Sequence, residues 1–522
     1  METKLIEALR KPAAYPHKVE PIRVMETHIS WILLTGSYAY KLKKPLDLGF
    51  LDFRELAARR YYCEEELRLN RRLAESIYEA VVAITGTPDK PVIDGSGPTI
   101  EYALRMRQFD PDQTLDKLCA RNELTEEQLD ELAWRIARFH QSVPPVSPDS
   151  PLGAPQQLYE AMEGNFTAIK ARIDNPRDIR QTKRLRAWSQ TAFERWQPLL
   201  GKRLENGMVR ECHGDLHLGN IVWYQGSITV FDCIEFNASF RWIDTANDLA
   251  FLLMDLESRG HRSWAFRVLN HYLEYRGDFE ALPLMGLFKT YRAMVRAKVA
   301  LLSPAESKQQ QEEQSRHYEQ YLALAEHYAQ KPQPWLAITT GYSASGKSHI
   351  SAQLAEHFGM IRIRSDVERK RLFGLDPTER SDPARNSDIY TREATQATYD
   401  QLKRLAHGVL RAGYPVIVDS AALKRGERES LNNIAKQLGL PAVLISCEAP
   451  EVVLRERIRQ RVQSSKEVSE ATERVLEHQL AIAEPLTSSE SNYAFHVHTQ
   501  RADSLGRLIQ ELEQRIGQAL FR

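Results

Sequence analysis

The stretch CHGDLHLGNI, residues 212 to 221, decides the fold of the first half of the chain. His213, Asp215 and Asn220 stand in a His-x-Asp-x-x-x-x-Asn spacing inside a short polar turn. A carboxylate that accepts a proton from a hydroxyl and an amide oxygen that holds a metal ion must lie close together, and this spacing fixes both on one loop. Asp232, at the end of the next strand-like segment, can supply a second, charged ligand. The stretch therefore predicts phosphoryl transfer, against the alternative of a polar loop whose side chains cap backbone groups.

The motif and the segments that follow it resemble the aminoglycoside phosphotransferase and choline kinase branch of the protein-kinase-like fold. The resemblance rests on HGDLHLGNI, FDCIEFN and WIDTANDLAFLLMDL. It implies that Asp215 is the catalytic base and that Asn220 and Asp232 are the magnesium ligands. It also implies that His213 organises the catalytic loop and that Asp248 has a structural role.

Kinase-like folds also need a lysine on the third strand that holds the nucleotide phosphates, paired with a glutamate on the following helix. The segment YAYKLKKP offers Lys41 and Lys43, which lie on the same side of a strand. Ala39, a small residue two positions before Lys41, lets adenine approach, so Lys41 is the predicted phosphate ligand. Among the three glutamates at 64–66, the distance to a following leucine favours Glu66, with a solvated acidic face as the alternative.

A second phosphate motif, GYSASGKS, runs from Gly341 to Ser348 between an apolar segment and a predicted helix. It satisfies G-x-x-x-x-G-K-[ST], in which backbone N–H groups and the helix N-terminus hold phosphate. Lys347 is predicted to bridge the terminal phosphates and Ser348 to bind magnesium. The remaining predicted cradle residues are Gly341, Ser343, Ala344, Ser345 and Gly346.

Strand-like and helical segments alternate after residue 335, which predicts a parallel sheet with helices on both faces. This half resembles the small P-loop kinases, including polynucleotide kinase, gluconate kinase and the zeta-toxin group. The resemblance implies that Asp366 faces the acceptor hydroxyl and that Asp419 is a Walker-B-like magnesium ligand. It also implies that Arg457 and Arg461 on a lid helix contact phosphate. The alternatives are a helix cap for Asp366 and a solvated basic face for the arginines.

Length and composition restrict the number of domains, the partners and the cellular compartment that are expected. The 522 residues exceed what one hydrophobic core usually organises, so two or three domains are predicted. Basic and acidic residues number 70 each, so the net charge of zero gives no long-range attraction for nucleic acid or anionic membranes. The five cysteines are dispersed without a C-x-x-C pair, and the sequence has neither a signal-peptide pattern nor an apolar run of about 20 residues. We therefore expect a cytosolic protein without a membrane partner.

The boundary between the halves is predicted near residue 331, where a Gln- and Glu-rich helical segment ends in KPQPW. Proteolysis between 303 and 335 is expected to leave two folded fragments. The predicted architecture is a bilobal α+β protein-kinase-like domain over 1–330, with a small lobe at 1–109 and a large lobe at 110–330 ending in a helical linker, followed by an α/β P-loop domain over 331–522.

Three functions are compatible with these motifs. The first is a bifunctional phosphotransferase that uses ATP and Mg2+ in both domains to phosphorylate hydroxyl groups of small molecules. The second is a nucleic-acid 5′-hydroxyl kinase acting through the P-loop domain, which the zero net charge disfavours. In the third, one domain senses nucleotide and regulates the other. The sequence identifies neither the acceptor nor the oligomeric state.

Overall fold

The computed structural model describes residues 2–49, 51–305, 307–330, 333–376, 391–463 and 472–520. The chain divides into two compact units, each built from two segments. The first unit comprises Met1–Asp255 and Leu287–Leu322, and the second comprises Leu256–Gly286 and Ala323–Arg522. Over the described residues, none of the helices combines the length and the apolar character that a membrane span requires.

The first unit opens with an antiparallel sheet that forms the predicted small lobe. Its strands and the two helices around them are α1 (Glu2–Leu9), β1 (Arg23–Glu26), β2 (Ser30–Leu34), β3 (Tyr38–Lys43), α2 (Leu56–Ala74), β4 (Tyr78–Thr87), β5 (Lys90–Ile93) and β6 (Thr99–Arg107). The order in the sheet is β1-β2-β3-β6-β4-β5. The hairpin between β2 and β3 turns at Gly36, which has a φ of +96° that favours glycine. The hairpin thus directs Lys41 and Lys43 to the same face of β3.

The large lobe is mostly helical, as predicted. Its elements in chain order are α3 (Leu115–Ala120), α4 (Glu126–Ser142), α5 (Pro155–Lys170), α6 (Pro176–Glu205), β7 (Val209–Glu211), β8 (Ile221–Tyr224), β9 (Ser227–Val230), β10 (Trp242–Asp244) and α7 (Thr245–Ser258), followed by α8 (Arg262–Arg276), α9 (Met285–Leu302) and α10 (Lys308–Tyr328). The strand β7 pairs antiparallel with β10, and β8 pairs antiparallel with β9. The polar turn at 212–220 therefore lies between two short strands that fix both of its ends.

The second unit contains a parallel sheet of the order β12-β13-β11-β14-β15 among its described residues. Its elements are β11 (Leu336–Thr340), α11 (Lys347–Phe358), β12 (Ile361–Arg364), α12 (Ser365–Leu372), α13 (Arg392–Arg411), β13 (Val416–Asp419), α14 (Arg425–Leu438), β14 (Ala442–Glu448), α15 (Glu451–Gln463), α16 (Glu473–Ile482), α17 (Ser488–Ser491), β15 (Ala494–His498) and α18 (Ser504–Leu520). Ala337, Ile417 and Ile445 pack on one face against Leu354 and Leu512 of two helices. Alternate strand residues are buried on the other face, so the predicted α/β fold with helices on both faces is confirmed.

Helix α8 belongs to the second unit, although it precedes the predicted boundary. Asn270 accepts a hydrogen bond from the backbone N–H of Arg362 (2.7 Å) and donates one to the carbonyl of Met360 (2.9 Å). The Arg362 N–H lies on β12 and the Met360 carbonyl directly precedes this strand, whereas the Ile361 N–H of β12 points the other way, to Pro415. Because α8 satisfies the outer edge of β12, a single cut near residue 331 does not separate the two units, and the expectation of two folded fragments is not supported.

We predict that Asn270→Ala lowers the free energy of unfolding by about 2 kcal/mol, because it leaves a buried N–H and a buried carbonyl unsatisfied. Urea denaturation followed by far-UV circular dichroism measures the change. Gln309→Ala, which removes an exposed amide on α10, is the control and should change stability by less than about 0.5 kcal/mol. Equal effects of the two substitutions would contradict the role of Asn270.

Candidate active sites

The polar turn brings Asp215 and Asn220 together. The Nδ2 group of Asn220 donates to the carbonyl of Asp215 (3.0 Å) and to its Oδ2 (3.1 Å), which directs the amide oxygen of Asn220 away from this carboxylate. His217 Nδ1 accepts from the N–H of Gly219 (3.1 Å), and its Nε2 lies 3.4 Å from Asp215 Oδ2. Burial would raise the pKa of Asp215, but the neighbouring His217 holds it below its usual value. Asp215 is therefore an ionised carboxylate that can accept a proton.

His213 is fully buried and links the turn to the end of β9. Its Nδ1 accepts a hydrogen bond from the N–H of Asp215 (3.2 Å), and its Nε2 lies 2.8 Å from the carbonyl of Phe231. His213 thus contacts the backbone on both sides of the turn, and its predicted role as organiser of the catalytic loop stays a prediction.

Asp248, in the first turn of α7, fixes the backbone of the same turn through hydrogen bonds. Its buried carboxylate accepts from the N–H of His213 (3.1 Å) and from the N–H of Gly214 (2.8 Å), and it lies 3.1 Å from His140 Nε2. Gly214 has a φ of +89°, and a Cβ there would lie 2.7 Å from the carbonyl oxygen of Phe240. The turn therefore requires glycine at 214 and a buried acceptor at 248.

Lys41, Glu66 and Asp232 converge beside this turn. Lys41 Nζ lies 2.7 Å from Glu66 Oε1 and 2.6 Å from Asp232 Oδ1. Burial would lower the pKa of Lys41, but Asp232 and Glu66 raise it well above its usual value. Asp232 has the left-handed φ of +63° that is uncommon for a residue with a side chain, and its N–H donates to the hydroxyl of Tyr78 (3.2 Å). This backbone conformation directs a carboxylate that is 43% exposed towards Lys41.

Lys43 lies deeper than Lys41, and its side chain is only 1% exposed. It contacts Glu66 Oε2 at 2.8 Å and forms a second ion pair with the buried Glu235. Burial would raise the pKa of Glu66, whereas the two lysines hold it at about 2. The geometry favours Lys41 as the lysine that faces a nucleotide, because Lys41 contacts Asp232 and Lys43 contacts buried carboxylates.

The loop at 341–346 has the backbone of a phosphate cradle. Gly341 has a φ of +144°, and a Cβ there would lie 2.4 Å from the carbonyl oxygen of Cys447. The N–H of Ser343 donates to Gln479 Oε1 at 2.7 Å. The buried hydroxyl of Ser345 lacks a hydrogen-bond partner among the described residues. An anion fits this loop, since it would be bound by N–H groups and by a hydroxyl that is otherwise unsatisfied.

Lys347 and Ser348 begin α11 directly after Gly346, which has a φ of +90°. Lys347 Nζ donates to the carbonyl of Tyr342 at 2.6 Å, across the mouth of the loop. Asp419 ends β13, is buried, and accepts from the hydroxyl of Ser351 at 3.0 Å. The hydroxyl of Ser348 and the carboxylate of Asp419 are oxygen donors, which suit Mg2+.

The other predicted residues of this site lie around the loop. Asp366 is half-buried in the first turn of α12. Arg457 Nη1 donates to the carbonyl of Ala344 (3.1 Å) and to the hydroxyl of Thr499 (3.1 Å), so the guanidinium contacts the loop itself. The side chain of Arg461 lies outside the described residues, and its predicted role stays a prediction.

Comparison with known proteins identifies both halves. Residues 55–284 match the model of the phosphotransferase enzyme family, and residues 336–486 match the model of an AAA domain. The protein is a kinase. Its two kinase-type domains contain the two clusters described above, one in each matched segment.

Curated relatives extend over both domains of the kinase. An uncharacterized protein of Mycobacterium tuberculosis and one of Mycobacterium bovis are each 28% identical over 446 residues, which cover 85% of this chain and 87% of the relative. Among solved structures, an amicoumacin kinase in complex with AMP-PNP, Ca2+ and Ami is 16% identical, with a TM-score of 0.40, over 62% of this chain and 93% of that one. A gluconokinase from Sinorhizobium meliloti is 20% identical, with a TM-score of 0.24, over 36% of this chain and 98% of that one.

Several residues of the clusters were not predicted from the sequence. His217 lies within the quoted motif, yet the spacing of Asp215 and Asn220 does not require it. Arg292 donates from Nη1 to the carbonyl of Gly214 at 2.9 Å, although α9 lies far along the chain. Glu235, three residues after Asp232, was also missed. Two buried lysines near one predicted glutamate indicate that a further carboxylate is needed, and Glu235 supplies it.

We predict that Glu66→Gln destabilises the kinase by about 3–5 kcal/mol, because it leaves two buried lysines short of a negative charge. Denaturant unfolding measured on the full chain tests this value. Glu64→Gln is a matched control on the same helix, because Glu64 pairs with Arg60 at the exposed surface, where a pair contributes about 0–1 kcal/mol. A loss as small for Glu66→Gln as for Glu64→Gln would be inconsistent with a charge-balancing role.

Proposed function

We propose that the kinase is a bifunctional ATP-dependent phosphotransferase, in which each domain transfers the γ-phosphoryl group of ATP to a hydroxyl of a small molecule. The support for this proposal is that each unit carries its own candidate groups for phosphate, metal and acceptor. The first set is Lys41, Asp215, Asn220 and Asp232, and the second is Lys347, Ser348, Asp366 and Asp419.

In the first site, Lys41 would hold the nucleotide phosphates, with its orientation fixed by Glu66. The amide oxygen of Asn220 and the carboxylate of Asp232 would hold Mg2+, which neutralises charge on the phosphates. Asp215 would accept the proton as the acceptor oxygen forms a bond to the γ-phosphorus and the bond from phosphorus to the β–γ bridging oxygen breaks. His217 keeps the Asp215 carboxylate ionised and oriented for this step.

In the second site, the N–H groups of 341–346 and the ammonium of Lys347 would bind the phosphates, and Ser348 and Asp419 would hold Mg2+. Binding requires Lys347 to leave the carbonyl of Tyr342 and the N–H of Ser343 to leave Gln479. Asp366 would accept the proton of the second acceptor. Arg457 is close enough to the loop to stabilise charge on the transferred group.

We place the enzyme in the cytosol. All five cysteines are buried and none forms a disulfide bond, which agrees with a reducing compartment. ATP is available there to both sites. We propose small-molecule hydroxyl compounds as its partners, and the zero net charge favours them over nucleic acid.

Asp215→Asn should keep the affinity for Mg2+ and nucleotide but lower turnover of the first domain by about 10²–10⁴-fold, because the amide cannot accept the proton. The measurement is phosphorylation of a metabolite extract with γ-labelled ATP, scored for products that persist in a Lys347→Ala variant. Asp149→Asn, an exposed carboxylate, is the control and should behave as the wild type. Retained turnover in Asp215→Asn would remove Asp215 from the role of base.

The full-length kinase should bind two molecules of a slowly hydrolysed ATP analogue. Lys347→Ala/Ser348→Ala should abolish one binding event, because the loop loses a charge partner and a metal ligand. Asp232→Ala should weaken the other event, because the first site loses its charged metal ligand. Calorimetry on the three proteins measures the stoichiometry, and a value of one for the wild type would overturn the bifunctional proposal.

A further inference from the structure

Two arginines of β12 reach one carboxylate on α8. Glu274 Oε1 accepts from Arg362 Nη2 (2.6 Å) and from Arg362 Nε (3.1 Å), and Glu274 Oε2 accepts from Arg364 Nη1 (3.2 Å). All three side chains are largely buried, with exposures of 6% for Arg362, 14% for Arg364 and 9% for Glu274. Since Arg362 and Arg364 alternate along a strand, their side chains lie on one face and can share this partner.

The same two arginines adjoin the predicted metal ligands of the second site. Arg362 Nη1 donates to the carbonyl of Ser348 at 3.3 Å. Arg364 Nε lies 4.0 Å from Asp419 Oδ2, at the limit of an ion pair. Asp419 thus has a guanidinium nearby that is held by a different carboxylate.

Glu274 and Asp419 can both pair with Arg364, and burial increases the energetic importance of which carboxylate does so. A buried guanidinium needs a carboxylate partner, and Arg364 has two within reach, Glu274 in direct contact and Asp419 farther away. Burial would raise the pKa of Glu274, but Arg362 and Arg364 hold it at about 2, so Glu274 carries its charge throughout the physiological range. Without that charge, Arg364 can pair with Asp419, whose Oδ2 lies 4.0 Å from Arg364 Nε.

We propose that Glu274 is a positioning residue of the P-loop site, which holds Arg364 away from Asp419 and so keeps the Asp419 carboxylate available to Mg2+. This inference rests on the proposed function of the second domain. Glu274 lies in the segment that matches the phosphotransferase family model (55–284) and outside the AAA match (336–486). Metal binding in one kinase domain therefore depends on a residue from the segment assigned to the other.

The test is a Mg2+ titration of nucleotide binding to the full chain, with Asp232→Ala present throughout to weaken the metal site of the first domain. The probe is a fluorescent, slowly hydrolysed ATP analogue. In Glu274→Gln, the Mg2+ concentration for half-maximal enhancement of binding should rise about tenfold, because Arg364 pairs with Asp419. Binding of the nucleotide without metal should stay unchanged, since the loop and Lys347 are intact.

Two further variants separate this role from a structural one. Glu274→Gln/Arg364→Gln should restore the wild-type Mg2+ dependence, because it removes the competing guanidinium. Arg364→Gln alone should bind Mg2+ at least as well as the wild type, and it keeps the test valid if Glu274→Gln unfolds. Glu356→Gln, which breaks the neighbouring pair between Arg267 on α8 and Glu356 on α11, is the matched control and should leave the Mg2+ dependence unchanged.

An unchanged Mg2+ dependence in a folded Glu274→Gln variant would overturn the inference. Failure of the double variant to recover, or weaker Mg2+ binding in Arg364→Gln alone, would also overturn it, since Arg364 would then support the site rather than compete for it. These results differ from a failure of the proposed function. If the proposed function of the second domain failed, adding Lys347→Ala to the Asp232→Ala protein would not reduce nucleotide binding.

Discussion

The buried carboxylate of Glu66 between Lys41 and Lys43 is the interaction on which the first active site depends. A lysine that is cut off from water must have a negative partner, and one glutamate here serves two lysines through its two oxygens. Glu235 and Asp232 complete the charge balance from the loop after β9. The strand β3, the helix α2 and the loop after β9 are therefore held together by charge, and Lys41, the proposed nucleotide ligand, is already oriented by Glu66 and Asp232.

The second active site is organised differently, by backbone conformation within a single loop. Gly341 and Gly346 adopt left-handed or related φ values, and Ala344 has a φ of +62° although it carries a side chain. Local sequence determines this loop, whereas the metal side of the site depends on long-range contacts through Arg362 and Arg364. Of the two proposed phosphate sites, one is thus assembled from ion pairs between residues distant in sequence, and the other is formed mainly by neighbouring residues.

This difference explains what could be predicted from sequence. The loop at 341–348, the polar turn at 212–220 and the alternation of strands and helices after residue 335 follow from short motifs and from periodicity, and the structure has them at the predicted residues. Lys41 and Lys43 could not be separated by alternation, because both lie on one face of β3, and only their partners Asp232 and Glu235 distinguish them. The role of α8 was missed for a related reason. In sequence, Asn270 and Glu274 resemble ordinary polar positions of an amphipathic helix. Only the structure shows that they contact Arg362 of β12.

The attachment of α8 to β12 also bears on how such a chain can change during evolution. Fused enzymes are commonly treated as modules that recombination can exchange at the linker, and the composition around residue 331 suggests such a joint. Here an exchange at that joint would pair α8 with a different strand, which lacks partners for Asn270 and Glu274. In its new context, β12 would carry two buried arginines, Arg362 and Arg364, without the carboxylate of Glu274. The α8–β12 contacts would therefore disfavour recombination at this joint, and substitutions at Asn270 or Glu274 would have to remain compatible with β12.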